Sequence, residues 1–248
     1  MSEAVLRAEH ITKCYDGVPV VEDVSIHLDK GELVCLLGVS GSGKTTLFHV
    51  LSGLNAPEEG RVLLGDEDIT GRPGSVSYML QKDLLLPHKK IVDNVALPLL
   101  LRGEKKKAAR EKAAAYFEQF GLAGTELRYP AQLSGGMRQR AALLRTYLGS
   151  RGVALLDEPF SALDALTKSD IHDWYLSVME EIELSTLFIT HDIDEAVRLS
   201  DRIYILGGKP GRILTEMKIE PGRPRSRDFS LTPEFAGYKR EILGYLDK

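Results

Sequence analysis

The sequence predicts an α/β fold. A mostly parallel sheet forms its core, with an antiparallel β subdomain beside it and an inserted α-helical subdomain. Three observations carry this expectation. Apolar runs at 33–37, 153–156 and 186–190 lack polar alternation, as strands buried on both faces do, and each leads into a helical pattern. Residues 5–11 and 24–28 alternate polar and apolar, as half-buried antiparallel strands do. From 84 to 145 the periodicity is helical.

Composition suits this class. At 248 residues the chain fits one large domain, or one domain with a substantial subdomain. Hydrophobic residues make up 43% and charged residues 27%, ordinary for a globular chain with a core. A net charge of −4 argues against a nucleic-acid partner. Cys14 and Cys35 have no metal spacing and read as reduced thiols of a cytoplasmic protein. Met1-Ser2-Glu3-Ala4 lacks the basic start and apolar run of a signal peptide. No apolar run approaches the ~18 residues that span a bilayer, so a membrane is expected to enter only through a partner.

Taken in order, the first two strands flank a turn at Tyr15-Asp16-Gly17. Tyr15 reads either as packing or as a flat surface for a nucleotide base. Next, Gly38-Val39-Ser40-Gly41-Ser42-Gly43-Lys44-Thr45-Thr46 joins the 33–37 strand to a helix marked by Leu47, Val50, Leu51 and Leu54. This is G-x-x-x-x-G-K-[ST] in the strand-to-helix context a phosphate loop requires. Its glycines free backbone N–H groups to face an anion, and the helix adds its positive end. Lys44 supplies charge for the β- and γ-phosphates, and the Thr45 hydroxyl suits Mg²⁺.

Short strands are expected at 61–64, 65–67 and 75–80, in an antiparallel sheet beside the parallel core. Gln81 closes the last one, either as a plain strand end or as a contact to a γ-phosphate or metal. A charged helix is expected over 104–120, with Ala113, Phe117 and Phe120 inward and Gly121 as its stop. Lys105-Lys106-Lys107 reads as a solvated face, with anionic lipid headgroups as the alternative. Ser134 then caps a glycine-bearing helix start, Ser134-Gly135-Gly136. That start is either a simple cap or the second half of a phosphate clamp.

The strand at 153–156 ends in Asp157 and Glu158. At the carboxyl edge of a parallel sheet, Asp157 suits a Mg²⁺ sphere and Glu158 a water-orienting base. A solvated acidic strand end is the bland alternative. Ile171, Trp174, Tyr175, Val178 and Ile182 form a core stripe on the next helix. His191 ends the 186–190 strand, at the edge expected for Lys44 and Glu158. Strands at 202–206 and 212–219 follow. A proline-rich basic linker at 221–227 precedes a short helix started by Thr232-Pro233-Glu234, with Phe235, Tyr238, Ile242 and Tyr245 inward.

The ordered set of aromatic turn, phosphate loop, glutamine, Leu-Ser-Gly-Gly, Asp-Glu strand end, Ser-Ala-Leu-Asp and histidine resembles the ATP-binding cassette family of transport ATPases, roughly from Leu6 to Gly207. The resemblance implies a P-loop NTPase core over 1–220, with the helical insert at about 84–145, and a C-terminal segment over 221–248. It implies that Tyr15 stacks on adenine with Val20 as a second contact, and that Gly38 and residues 40–46 wrap the phosphates. It gives Gln81 to Mg²⁺ and the attacking water, Asp157 to Mg²⁺, Glu158 to base catalysis and His191 to the γ-phosphate. Ser134, Gly135 and Gly136 would contact the γ-phosphate held by a second copy or a paralogous cassette, and Asp164 would cross that interface.

Cofactors implied are ATP and Mg²⁺. Partners implied are transmembrane permease subunits, docked near 82–98, and indirectly a substrate-binding protein. The chain would then lie peripherally on the cytoplasmic side of the membrane. Met137, the Asp192-Ile193-Asp194-Glu195-Ala196 run and the Arg-Pro-Arg tail are similar to importers of nitrate, sulfonate, taurine, bicarbonate and thiamine precursors. His88-Lys89-Lys90 and Ser150-Arg151-Gly152 depart from that group. An exporter cassette, a soluble mechanical ATPase and a non-hydrolytic nucleotide module stay open as alternatives. The single set of motifs argues against the mechanical ATPase, and Glu158 with His191 against the non-hydrolytic module.

Overall fold

The computed structural model describes residues 4–161, 165–220, 222–223 and 225–246. The alternating N-terminal segments form β1 (Ala4–Tyr15) and β2 (Val18–Asp29), paired antiparallel around Asp16-Gly17. β3 (Leu33–Gly38) is buried along its whole length. α1 (Lys44–Leu51) follows the glycine loop and buries Leu47, Val50 and Leu51. The helix ends before Leu54, which is exposed and not part of the buried face the spacing predicts.

β4 (Glu59–Leu64) and β5 (Glu67–Asp68) complete an antiparallel sheet of order β2-β1-β4-β5. Gly65 and Asp66 form only the turn between them. β6 (Ser77–Met79) departs from expectation: it leaves this sheet for the parallel one. It becomes the edge strand there, paired with one neighbour, and buries Met79.

The helical region starts at α2 (Ile91–Val95), later than residue 84. The Asn94 side chain accepts from Leu86 N (2.6 Å) and donates to the Leu86, Lys89 and Lys90 carbonyls, which holds the preceding residues as a loop. Pro98 has no N–H, and the apolar run continues as a separate α3 (Leu97–Leu101). α4 (Lys106–Ala114) is shorter than the predicted 104–120 helix. Beyond it the chain tightens into i→i−3 bonds, Tyr116 N to Ala113 O and Phe117 N to Ala114 O. Phe117 and Phe120 are buried as expected, with Phe120 against Tyr147 and Trp174. α5 (Gly135–Gly149) runs on past Arg145.

β7 (Val153–Asp157), α6 (Ala165–Ile182), β8 (Ser185–Thr190), α7 (Ile193–Leu199), β9 (Arg202–Gly207) and β10 (Arg212–Lys218) complete the core. The second sheet has the order β10-β9-β3-β8-β7-β6, parallel except for β10. One apolar core joins the antiparallel sheet and α1 to one face of these strands, and the other packs the remaining helices on the opposite face.

α8 (Pro233–Leu246) ends the described chain and buries Phe235 and Ile242. The basic stretch before it is not a free linker. Arg223 grips Asp201 with two hydrogen bonds of 2.7 Å. Arg225 is buried and donates to the carbonyls of Val197, Arg198 and Ser200 at the end of α7, and of Ile219. Arg227 pairs with Asp170 and Asp173 on α6. The arginines of the expected basic linker satisfy carbonyls and carboxylates elsewhere in the fold.

Candidate functional site

Parallel pairing puts the carboxyl ends of β3, β8, β7 and β6 side by side. Leu37 faces Thr190, Ile189 faces Asp157 and Leu156 faces Met79. The next residues along each strand are therefore delivered to one edge: the glycine loop, His191, Glu158 and Gln81. Ligands bind at this edge of open α/β sheets.

The loop wraps a cleft of about 580 Å³ lined by Val20, Ser40, Gly41, Gly43, Lys44, Thr45, Thr46, Glu158 and His191. Two glycines are sterically required. A Cβ on Gly43, which sits at φ +97°, would lie 2.5 Å from Val21 Cγ1, and one on Gly38 would meet the Leu206 carbonyl oxygen. Gly43 is also the N-cap of α1, so the first N–H groups of that helix point towards the cleft. Ser42 is buried under the loop and does not line it. The Lys44 ammonium is folded onto the Gly38 and Val39 carbonyls at 2.8 and 2.9 Å. Burial lowers its pKa against the opposing attraction of Glu158 and Asp157. A desolvated cation among amides is a receptor for a polyanion.

Asp157 lies beneath the cleft. Its Oδ2 accepts from Tyr78 Oη at 3.1 Å and Thr45 Oγ1 at 3.4 Å. Burial, helped by the neighbouring Glu158 charge, raises its pKa above the ordinary carboxylate range. Glu158 turns out of the strand with φ +45°, a conformation costly for a side chain with a Cβ. Its Oε2 accepts from Gln81 Nε2 at 3.1 Å, and its Oε1 from His191 Nδ1 at 3.0 Å. Gln81 also donates to Ser161 Oγ at 3.4 Å.

Gln81 lines an adjoining cavity of about 840 Å³, which shares Glu158 and His191 with the first and includes Gly135. Ser134 caps α5 by accepting from Met137 N, and Ser134 and Gly135 are exposed. None of Ser134, Gly135 and Gly136 lines the cleft under the glycine loop of its own chain. Val20 lines that cleft and Tyr15 does not; the Tyr15 hydroxyl accepts from Asn55 at 2.8 Å. Asp164 lies outside the described residues.

Among the described residues no group of three or more His, Cys, Asp and Glu is built to hold a metal alone. One hydroxyl beside one buried carboxylate with a raised pKa suits a hard cation that keeps waters and takes its other oxygens from phosphates. Thr45 and Asp157 fit Mg²⁺ in that sense.

Sequence reasoning passed over three contributors. Tyr78 contacts Asp157 and Ser161 contacts Gln81. Tyr78 is a hydroxyl inside an apolar strand, which is a legible signal; Ser161 gives none beyond its place after Glu158. The third is Glu195, buried behind His191 and hydrogen-bonded to Thr190. A glutamate on the first turn of a helix reads as solvent-facing.

The profile of the ABC transporter family matches residues 21–161. The chain is 43% identical to the formylaminopyrimidine import ATP-binding protein ThiZ of Halalkalibacterium halodurans, over 99% of this chain and 98% of that protein. It is 36% identical to the taurine import ATP-binding protein TauB of Escherichia coli, over 96% of each. It superposes on the dimeric post-hydrolysis structure of the ATP-binding cassette MJ0796 bound to ADP and Pi with a TM-score of 0.74, at 27% identity, covering 88% of this chain and 100% of the other.

Proposed function

Since this chain belongs to the ABC transporter family, as an ATP-hydrolysing import subunit, we propose that it clamps ATP between the Lys44 loop of one copy and Ser134-Gly135-Gly136 of a second. The observation that supports this best is the convergence of Lys44, Glu158 and His191 on one cleft that the glycine helix start of the same chain does not line. The exposed N–H groups of that start can then serve another chain.

The chemistry follows from positions. Lys44 leaves its own loop carbonyls for the β- and γ-phosphates, which relieves a desolvated charge. Glu158, fixed between Gln81 and His191, orients the attacking water and accepts its proton. His191 meets that carboxylate through Nδ1, which leaves Nε2 on the γ-phosphate side, where it serves only when it carries a hydrogen to donate. Thr45 and Asp157, with Gln81, would hold Mg²⁺, which would supply positive charge against the phosphates. Tyr15, despite its bond to Asn55, is exposed for base stacking together with Val20, and Asp164 is assigned to the contact between copies.

The cargo class is a small solute, nitrate-, sulfonate- or taurine-like or a thiamine precursor, taken up through permease subunits that dock near 82–98 and fed by a substrate-binding protein. Among the described residues no helix is long and apolar enough to cross a membrane. A peripheral place on the cytoplasmic face fits that.

Mixing two inactive variants tests the shared site. In a mixed dimer of Lys44→Met and Ser134→Arg chains, one of the two sites is damaged twice and the other is intact. Turnover should return on mixing. Mixed dimers trapped by cross-linking that stay inactive would remove the second chain from the site.

A further inference from the structure

We propose that Glu195, with Lys168, is a positioning residue that sets His191 against Glu158 by clamping the chain on both sides of the histidine. The inference rests on the roles given above to His191 and Glu158.

The His191 side chain is itself held weakly. It is 62% exposed, and its recorded partner is Glu158 Oε1. Its neighbours are held hard. Thr190 Oγ1 donates to Glu195 Oε2 at 2.6 Å and accepts from Asp192 N at 3.0 Å. The Lys168 ammonium lies 2.6 Å from Glu195 Oε1 and 3.3 Å from Asp192 Oδ2. Asp192 Oδ1 in turn caps α7, accepting from Asp194 N and Glu195 N. One buried carboxylate and one ammonium therefore fix residues 190 and 192, and the imidazole between them follows.

The same pair reaches the other side of the site. Lys168 and His172 stand on α6, the helix entered after Glu158 and its Pro159-Phe160-Ser161 turn. His172 Nε2 is 3.7 Å from Glu195 Oε1, and its ring meets the Phe160 ring edge-on at 4.7 Å between centroids. The cluster thus indexes the segment after Glu158 to the segment carrying His191. A carboxylate only 4% exposed is costly to keep charged. Burial pushes its pKa up, yet the facing His172, Lys168 and Thr190 outweigh that and hold it down at about 2. A core with no geometry to fix could fill this space with an apolar side chain.

The test is steady-state ATP turnover of the whole chain, in a cycle of Glu195→Gln and His191→Ala. Glu195→Gln should lower kcat at least about tenfold, 1.4 kcal/mol of barrier, and move KM for ATP less than about twofold, since the phosphate loop is untouched. In the His191→Ala background the same change should cost less than about twofold, because both act through one imidazole. Lys168→Met should repeat this pattern and Lys168→Arg should restore turnover; these variants carry the test if Glu195→Gln fails to fold. Equal losses in both backgrounds, or a KM that rises as much as kcat falls, would mark a merely structural cluster and overturn the inference. A His191→Ala chain with wild-type turnover would sink the role of His191, and this inference with it.

Discussion

Asp157→Asn offers two effects of opposite sign from one nearly isosteric change. The carboxylate is 6% exposed, receives the Tyr78 hydroxyl at 3.1 Å and a long Thr45 contact at 3.4 Å, and adjoins the like charge of Glu158. Its raised pKa means that folding favours the protonated form. The stability this provides is full below the unfolded-state pKa of about 3.9 and is lost as pH rises through the higher folded-state value. At neutral pH the ligand-free chain therefore carries a strained charge. Removing it should stabilise that chain by about 1 kcal/mol, the range of relieved functional strain. For a chain of this size that is about 2–4 °C in Tm. With Mg²⁺ and nucleotide the order reverses. Wild type at a hundred times Kd gains about 2.7 kcal/mol, and the variant loses the Mg²⁺-dependent share of that. Thermal unfolding at neutral pH, with and without Mg²⁺–nucleotide, should show the two curves crossing. Repeated near pH 4, the ligand-free difference should shrink. An Asp157→Asn chain less stable than wild type without ligand, or one with an undiminished Mg²⁺-dependent shift, would refute the reasoning.

Two further changes probe the scaffold. Gly43→Ala places a Cβ 2.5 Å from Val21 at a positive φ. The conformation costs about 1–2 kcal/mol and the overpacking about 1–3, so denaturant unfolding should show a loss of at least about 2 kcal/mol, and a loss under about 0.5 would contradict the loop geometry. Arg225→Met strips a buried guanidinium from four carbonyls. A loss of about 3 kcal/mol is expected, with faster amide exchange at the end of α7; unchanged exchange there would restore the view of 221–227 as a passive linker.

The parallel core was legible because fully buried strands announce themselves as unbroken apolar runs. The edge where Lys44, Glu158 and His191 meet followed from it. What misled was local pattern without tertiary context. β6 has too few residues to show which sheet it joins. The inward residues of 104–120 were read correctly, while the helix carrying them ends at Ala114 because the chain tightens to bring Phe120 against Tyr147 and Trp174. Arg223, Arg225 and Arg227 read only as parts of a basic linker because their partners lie far along the chain. Glu195 was missed for the same reason: its partners Lys168 and His172 come from another helix.

The central claim is that Glu158 activates water for a phosphate chain already held by the Lys44 loop. Glu158→Gln keeps the shape and removes the base; its single amide oxygen can keep one of the two contacts that the carboxylate accepts from Gln81 and His191. Single-turnover hydrolysis of bound ATP measures it most directly. ATP should bind near wild-type affinity, cleavage should slow at least about a hundredfold, and an ATP-bound dimer should accumulate. Cleavage at the wild-type rate would contradict the account.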